Sequence, residues 1–174
     1  MSDTLNKLNR LSGYAEVLSK IIMVVLVIVI VGACIVLALT YADLSAIEGI
    51  LEEWEVMPAD NEIRAVALNA IAMCAIGLVI MYYVHRLFTN IHKSNALFTD
   101  ANVEDLRTIA ILLLIAAVVL TAVVSLTTFY LLDTTDIVVG FNPLMMLMTA
   151  LIIYMVSLIF RYGTELQRQS DETL

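Results

Sequence analysis

IIMVVLVIVIVGACIVLALTY, Ile21 to Tyr41, is an unbroken apolar run of 21 residues with no charge in it. The hydrocarbon core of a bilayer is about 30 Å thick, and a helix needs about 20 apolar residues to cross it. The run reads as a membrane-spanning helix. A signal-peptide core is typically about 7–15 residues long, so the segment reads as retained rather than cleaved. Three more stretches repeat the pattern: Ala65 to Val84, Ile109 to Leu132, and Pro143 to Phe160. The last is the shortest, and Ile137, Val138 and Val139 ahead of it lengthen its apolar reach. No charged side chain lies inside any of the four.

Composition agrees. Of 174 residues, 61% are hydrophobic and 15% charged, and mean hydropathy is +0.95. A soluble domain is about 45–50% apolar and about 25% charged. One water-soluble core cannot hide this much apolar surface, which excludes a soluble globular enzyme and a disordered chain. The net charge of −8 argues against direct nucleic-acid binding, which rests on attraction to phosphates. Cys34 and Cys74 both fall in apolar runs and form neither a disulfide framework nor a zinc pattern. The expectation is one all-α domain over residues 1–174, an integral membrane four-helix bundle.

Orientation follows from the short loops, because Lys and Arg are retained on the cytoplasmic side. Lys7, Arg10, Lys20, Arg86, Lys93, Arg107, Arg161 and Arg168 share one side of the four-span plan, and only Arg64 lies on the other. This predicts both termini in the cytoplasm. Nine acids accompany Arg64 outside, so the negative charge belongs to the outer face.

The segments between spans carry their own patterns. Leu5, Leu8, Leu11, Ala15 and Leu18 recur at helical spacing ahead of span one. They predict an amphipathic N-terminal helix, lying along the inner membrane surface or packed on the cytoplasmic loop. Leu44, Ile47, Leu51 and Trp54 predict a second amphipathic helix in the outer loop. The seven acids of that loop fit a solvated face, and their spacing matches no calcium loop. In the inner loop, Lys93 to Asn95 read as a break. Thr99 reads as the N-cap of the next helix, with Phe98 and Val103 as a hydrophobic staple. The two flanking helices therefore extend below the membrane as a stalk, expected to meet the C-terminal tail through Arg107, Arg161, Glu165, Asp171 and Glu172. Asn142 and Pro143 read as N-cap and first residue of span four.

Catalytic signatures are missing, and so is the intramembrane charge that proton and ion relays use. Two isolated glycines, Gly32 and Gly77, are expected to permit close helix packing. His85 and His92 share a helical face, with a structural role expected over half of a metal site. Asn69, Thr121, Ser125, Thr128 and Thr149 lie at similar outer depth on three helices. They read as interhelical hydrogen-bonding groups, with a small outer cavity for a lipid or small hydrophobic ligand as the sharper alternative.

Two segments carry a family resemblance. LFTNIHKSNALFTDANVEDLRTIAILL, Leu87 to Leu113, is similar to an inner-loop pattern LFxNIxxGxPFTxxNVxxLRxIG. IFRYGTELQRQSDETL, Ile159 to Leu174, is similar to RYGxxLQxExDETL. Both patterns belong to the bacterial four-helix membrane family catalogued as domain of unknown function 2975. Asn90, Phe98, Thr99, Asn102 and Arg107 fit the first, and Arg161, Gly163, Gln167, Asp171 and Glu172 fit the second. Asn95, Ala96 and Leu97 replace the usual glycine-containing turn, and Gln169 stands where an acid is common. The resemblance implies a bacterial inner-membrane protein without a known activity. Its members' genes often adjoin a small helix-turn-helix regulator, which implies a cytosolic transcriptional regulator as partner. The ten residues just named are therefore the candidate docking set. No cofactor is expected. The lipid bilayer is the first partner, a homo-oligomer is compatible with the pattern, and the alternatives are ligand binding at the outer polar group and an immunity or efflux component.

Overall fold

The computed structural model describes residues 2–41, 60–94, 97–132 and 142–172, and all regular structure in them is helical. Helix α1 is Ser2–Tyr41, α2 is Asp60–Ser94, α3 is Asp100–Thr127, and α4 is Pro143–Glu172. A π-helical turn, Thr128–Leu132, continues α3. Four helices are long and apolar enough to cross a membrane, the architecture of a multi-pass membrane protein. The expected outer-loop helix around Leu44 to Trp54, the side chains of Leu5, Leu8 and Asp171, and Thr173 and Leu174 lie outside what the structure describes.

The helix starts follow local chemistry. Thr99 is extended (φ −130°, ψ 149°), and its hydroxyl accepts the Asn102 N–H at 3.3 Å. Its carbonyl accepts the Val103 N–H at 3.1 Å. Asn142 does the same for α4, with Oδ1 3.0 Å from the Leu144 nitrogen. Each cap satisfies backbone donors that have no partner inside the helix. The end of α3 is less regular than its apolar run predicts. Thr127 and Thr128 both back-bond to the Val124 carbonyl, at 2.9 and 2.8 Å. Such bonds compete with the ladder, and the ladder here widens into the π turn.

The arm is no separate surface helix but the first half of the continuous 40-residue α1, about 60 Å long at 1.5 Å per residue, and it packs on the end of α2, the second of its two expected placements. Its inward face carries Ser12 and Ser19, both buried, whereas Leu11 and Leu18 point outward. The small, polar side packs on α2 because it lets the backbones close. Gly77 contributes to the same seam, its Cα hydrogen side facing Leu26, while Gly32 faces open space. Only the first glycine serves helix packing.

Helix backbones meet in chain order: α1 with α2, α2 with α3, α3 with α4. Among the described residues the bundle is thus a serial row, tied together at the stalk, where Ile153 of α4 reaches the Leu87, Ile91 and Ile109 cluster. Spans one to three lie level. Arg64 donates to the Thr40 carbonyl at 2.7 Å, Asn69 meets Thr127, and Leu87 meets Ile109. Span four does not. Leu147, Ala150 and Tyr154 line a groove with Ala110 and Leu114, so the middle of span four sits beside the inner end of span three. The offset is about ten residues, or about 15 Å along the axis.

Candidate functional site at the stalk

Below span two, α2 continues through Arg86 and Asn90 and packs on the first turns of α3. Asp105 projects from α3 into that seam and is 0% exposed. Arg86 Nε donates to Asp105 Oδ1 at 2.7 Å, and Arg86 Nη2 binds the same oxygen. Asn90 Nδ2 donates to Asp105 Oδ2 at 3.3 Å. Both carboxylate oxygens are therefore engaged, the condition under which a buried charge is tolerated. The Asp105 hydrogen bonds raise the Arg86 guanidinium pKa above its ordinary value, and its central carbon lies over the Tyr83 ring, 5.1 Å from the centroid. Asn102 is also 0% exposed, and its Nδ2 donates to the Leu97 carbonyl at 3.0 Å. That bond folds the connecting segment onto the start of α3.

Phe98 joins this hairpin to the tail. Its ring lies against Gly163 of α4, where an added Cβ would stand 2.6 Å from Phe98 Cδ1. It also meets Phe160 edge-on, with centroids 5.3 Å apart. The stalk and the tail helix do meet, as expected, but through an aromatic ring on a glycine. The expected acid–base contacts are arranged otherwise: Arg86 takes Asp105, and Arg168 pairs with Glu172 within α4 at 3.1 Å.

The ten candidate docking residues thus divide. Asn90, Phe98, Thr99, Asn102 and Gly163 build the stalk. Arg107, Arg161, Gln167 and Glu172 are exposed on its surface, and the Asp171 side chain is outside the description. At the tip, Asn90, Lys93, Ser94, Thr99 and Ala101 line a cleft of about 340 Å³. Sequence reasoning missed Arg86 and Asp105 as a pair. The signal was present: a short helical hairpin brings residues equidistant from its turn together, and Arg86 and Asn90, four apart, share a face.

The two histidines hold the arm. His85 Nδ1 lies 3.0 Å from Ser19 Oγ, and His92 Nδ1 lies 3.2 Å from the Asn9 carbonyl. Among the described residues no group of three or more His, Cys, Asp or Glu is placed to hold a metal. At the outer end, Asn69 Oδ1 accepts from Thr127, at 2.9 Å, a residue outside the expected polar group. Thr121 donates to the Ala117 carbonyl at 2.6 Å and Thr128 to its own helix, while Ser125 is half-buried on α3. Thr149 is exposed and donates to Met145. The Thr121, Thr128 and Thr149 hydroxyls serve their own helices, and the Asn69–Thr127 bond crosses between two.

A family model described as "Protein of unknown function (DUF2975)" matches residues 40–174. No curated protein and no solved structure matches the chain. The matched stretch takes in the stalk, the Phe98–Gly163 contact and three of the four spans, and the chain belongs to this family.

Proposed function

With that membership as premise, we propose that the protein is a non-enzymatic membrane anchor for a cytosolic transcriptional regulator in the bacterial inner membrane. Both termini and the stalk face the cytoplasm. The reading rests on the Lys and Arg bias and on one structural observation. The clasp that Arg86 and Asn90 close on the buried Asp105 carboxylate and the Phe98–Gly163 contact stiffen a stalk on which the motif residues Arg107, Arg161 and Gln167 are exposed. Polar groups turned outward on a rigid support suit recognition of a protein. The tip cleft, with Lys93 and Asn90 on its walls, is the place for an acidic or hydrogen-bonding side chain of that partner. Release of the regulator requires two states of the stalk with different affinity for it, and the α3–α4 contact is the joint between them.

The test is co-purification with the helix-turn-helix regulator encoded beside the protein. Wild type is compared with Arg107→Ala, Arg161→Ala and Lys93→Ala, which leave the clasp and the Phe98 contact in place. Loss of binding in these variants supports the site. Wild-type failure to bind, together with measurable transport or hydrolysis, replaces the proposal with a different class of function.

A further inference from the structure

The groove between the foot of α1 and the end of α2 belongs neither to the stalk clasp nor to the α3–α4 joint. It encloses about 540 Å³ and is lined by Asn9, Arg10, Gly13, Tyr14, Val17 and His92. Its chemistry is graded along α1. Val17, Ile21, Val24 and Ile28 follow at helical spacing and are all exposed, an apolar stripe on one face. Tyr14, 74% exposed, continues that stripe downward with a ring of the kind favoured at the membrane–water interface. Arg10, one turn further on, adds an exposed guanidinium. His92 closes the groove from α2. Its Nδ1 is 3.2 Å from the Asn9 carbonyl, which only accepts, so Nδ1 carries a proton and Nε2 of the neutral ring is an acceptor. Gly13 keeps the floor open, since a Cβ there would stand 3.4 Å from His92 Cε1.

We propose that this groove holds one anionic phospholipid, its phosphate against Arg10 and an acyl chain along the Val17 to Ile28 stripe. The acid closest in sequence to Arg10 on α1's α2-facing side, Glu16, is engaged by Lys20 at 3.0 Å. The apolar stripe running into the groove has a use for a lipid and none for a soluble phosphate. Basic side chains near an anionic leaflet gain attraction from it. The inference stands on the membrane-spanning architecture and not on the regulator: α1 up to Leu39 precedes the family match.

The experiment titrates the purified full-length protein in mild detergent with dioleoyl-phosphatidylglycerol or dioleoyl-phosphatidylcholine, counting retained lipid by native mass spectrometry. Inorganic phosphate serves as competitor. Wild type retains phosphatidylglycerol in preference to phosphatidylcholine. Arg10→Gln weakens phosphatidylglycerol binding about fivefold, the change corresponding to about 1 kcal/mol per basic group near an anionic surface. Arg10→Lys keeps the preference, and Arg168→Gln leaves binding unchanged. Equal retention of the two lipids by wild type overturns the proposal, as does unchanged phosphatidylglycerol binding in a folded Arg10→Gln. Displacement of the lipid by inorganic phosphate overturns it in favour of a free-anion site.

Discussion

Gly163→Ala sets two opposed effects against each other at one position. In a helix interior, replacing Gly by Ala stabilises by about 1 kcal/mol. Here the new methyl carbon would stand 2.6 Å from Phe98 Cδ1, 2.7 Å from Cε1 and 3.0 Å from Cγ, and the ring must move. Phe98 is 40% exposed, so about 60% of a side chain of roughly 200 Å² is covered. Losing all of that cover costs about 3 kcal/mol at about 25 cal/mol per Å². The edge-to-face contact with Phe160 contributes about 0.5–1.5 kcal/mol more. The ring keeps part of its cover by sliding, which brings the loss into the overpacking range of about 1–3 kcal/mol. After the helix-propensity gain, the joint between stalk and tail is weakened by up to about 2 kcal/mol. Amide hydrogen exchange over residues 97–108, measured in detergent, reads this as faster exchange, by up to about thirtyfold. In a Phe98→Ala background the clash is gone, and Gly163→Ala becomes neutral or protective. Wild-type exchange rates in Gly163→Ala with Phe98 intact would refute the reasoning.

Three further outcomes are expected. Arg86→Ala leaves the wholly buried Asp105 carboxylate without its cation and lowers stability by about 3–5 kcal/mol. Asp105→Asn leaves a guanidinium whose side chain is 43% exposed and reachable by water, at about 1–3 kcal/mol; thermal unfolding in detergent that ranks the two the other way contradicts the clasp. Thr99→Ala removes the α3 cap and costs about 0.5–2 kcal/mol, with Thr99→Ser close to neutral, read as faster exchange of the Asn102 and Val103 amides. A cysteine placed at Ser2, in a background with Cys34 and Cys74 replaced, stays unlabelled by an impermeant reagent added to intact cells; labelling there reverses the orientation.

Much of the stalk was legible before any coordinates. Thr99 and Asn142 were readable as caps because a cap is decided within three or four residues, by a short oxygen-bearing side chain ahead of a helical pattern. Gly163 stands out only through the family resemblance and Phe98 also as a staple residue, and their contact is not visible in the sequence, since nothing local links residues so far apart in the chain. Arg86 enters the sequence reading only as one basic residue of the orientation pattern, which leaves its pairing with Asp105 unread. Thr127 was overlooked beside Asn69 because a polar residue's depth is readable from sequence but its rotational setting against a neighbouring helix is not. The arm's leucines mark a helical stripe but not the face that meets α2: in contact with lipid or another apolar surround, apolar side chains gain little by turning inward, and close backbone approach favours Ser12, Gly13 and Ser19 instead.

Four spans, their lengths and their caps were determined by the sequence alone, because the bilayer imposes one length and every backbone group must be satisfied within its own helix. How the helices slide against one another was decided only by the tertiary structure. An apolar helix is almost indifferent to its register in hydrocarbon, since lipid and leucine are equally apolar. The setting of α4, about 15 Å lower than its apolar run alone implies, is chosen by a few contacts that exist at a single register: Phe98 on Gly163, and Ile153 on the Leu87 and Ile109 cluster.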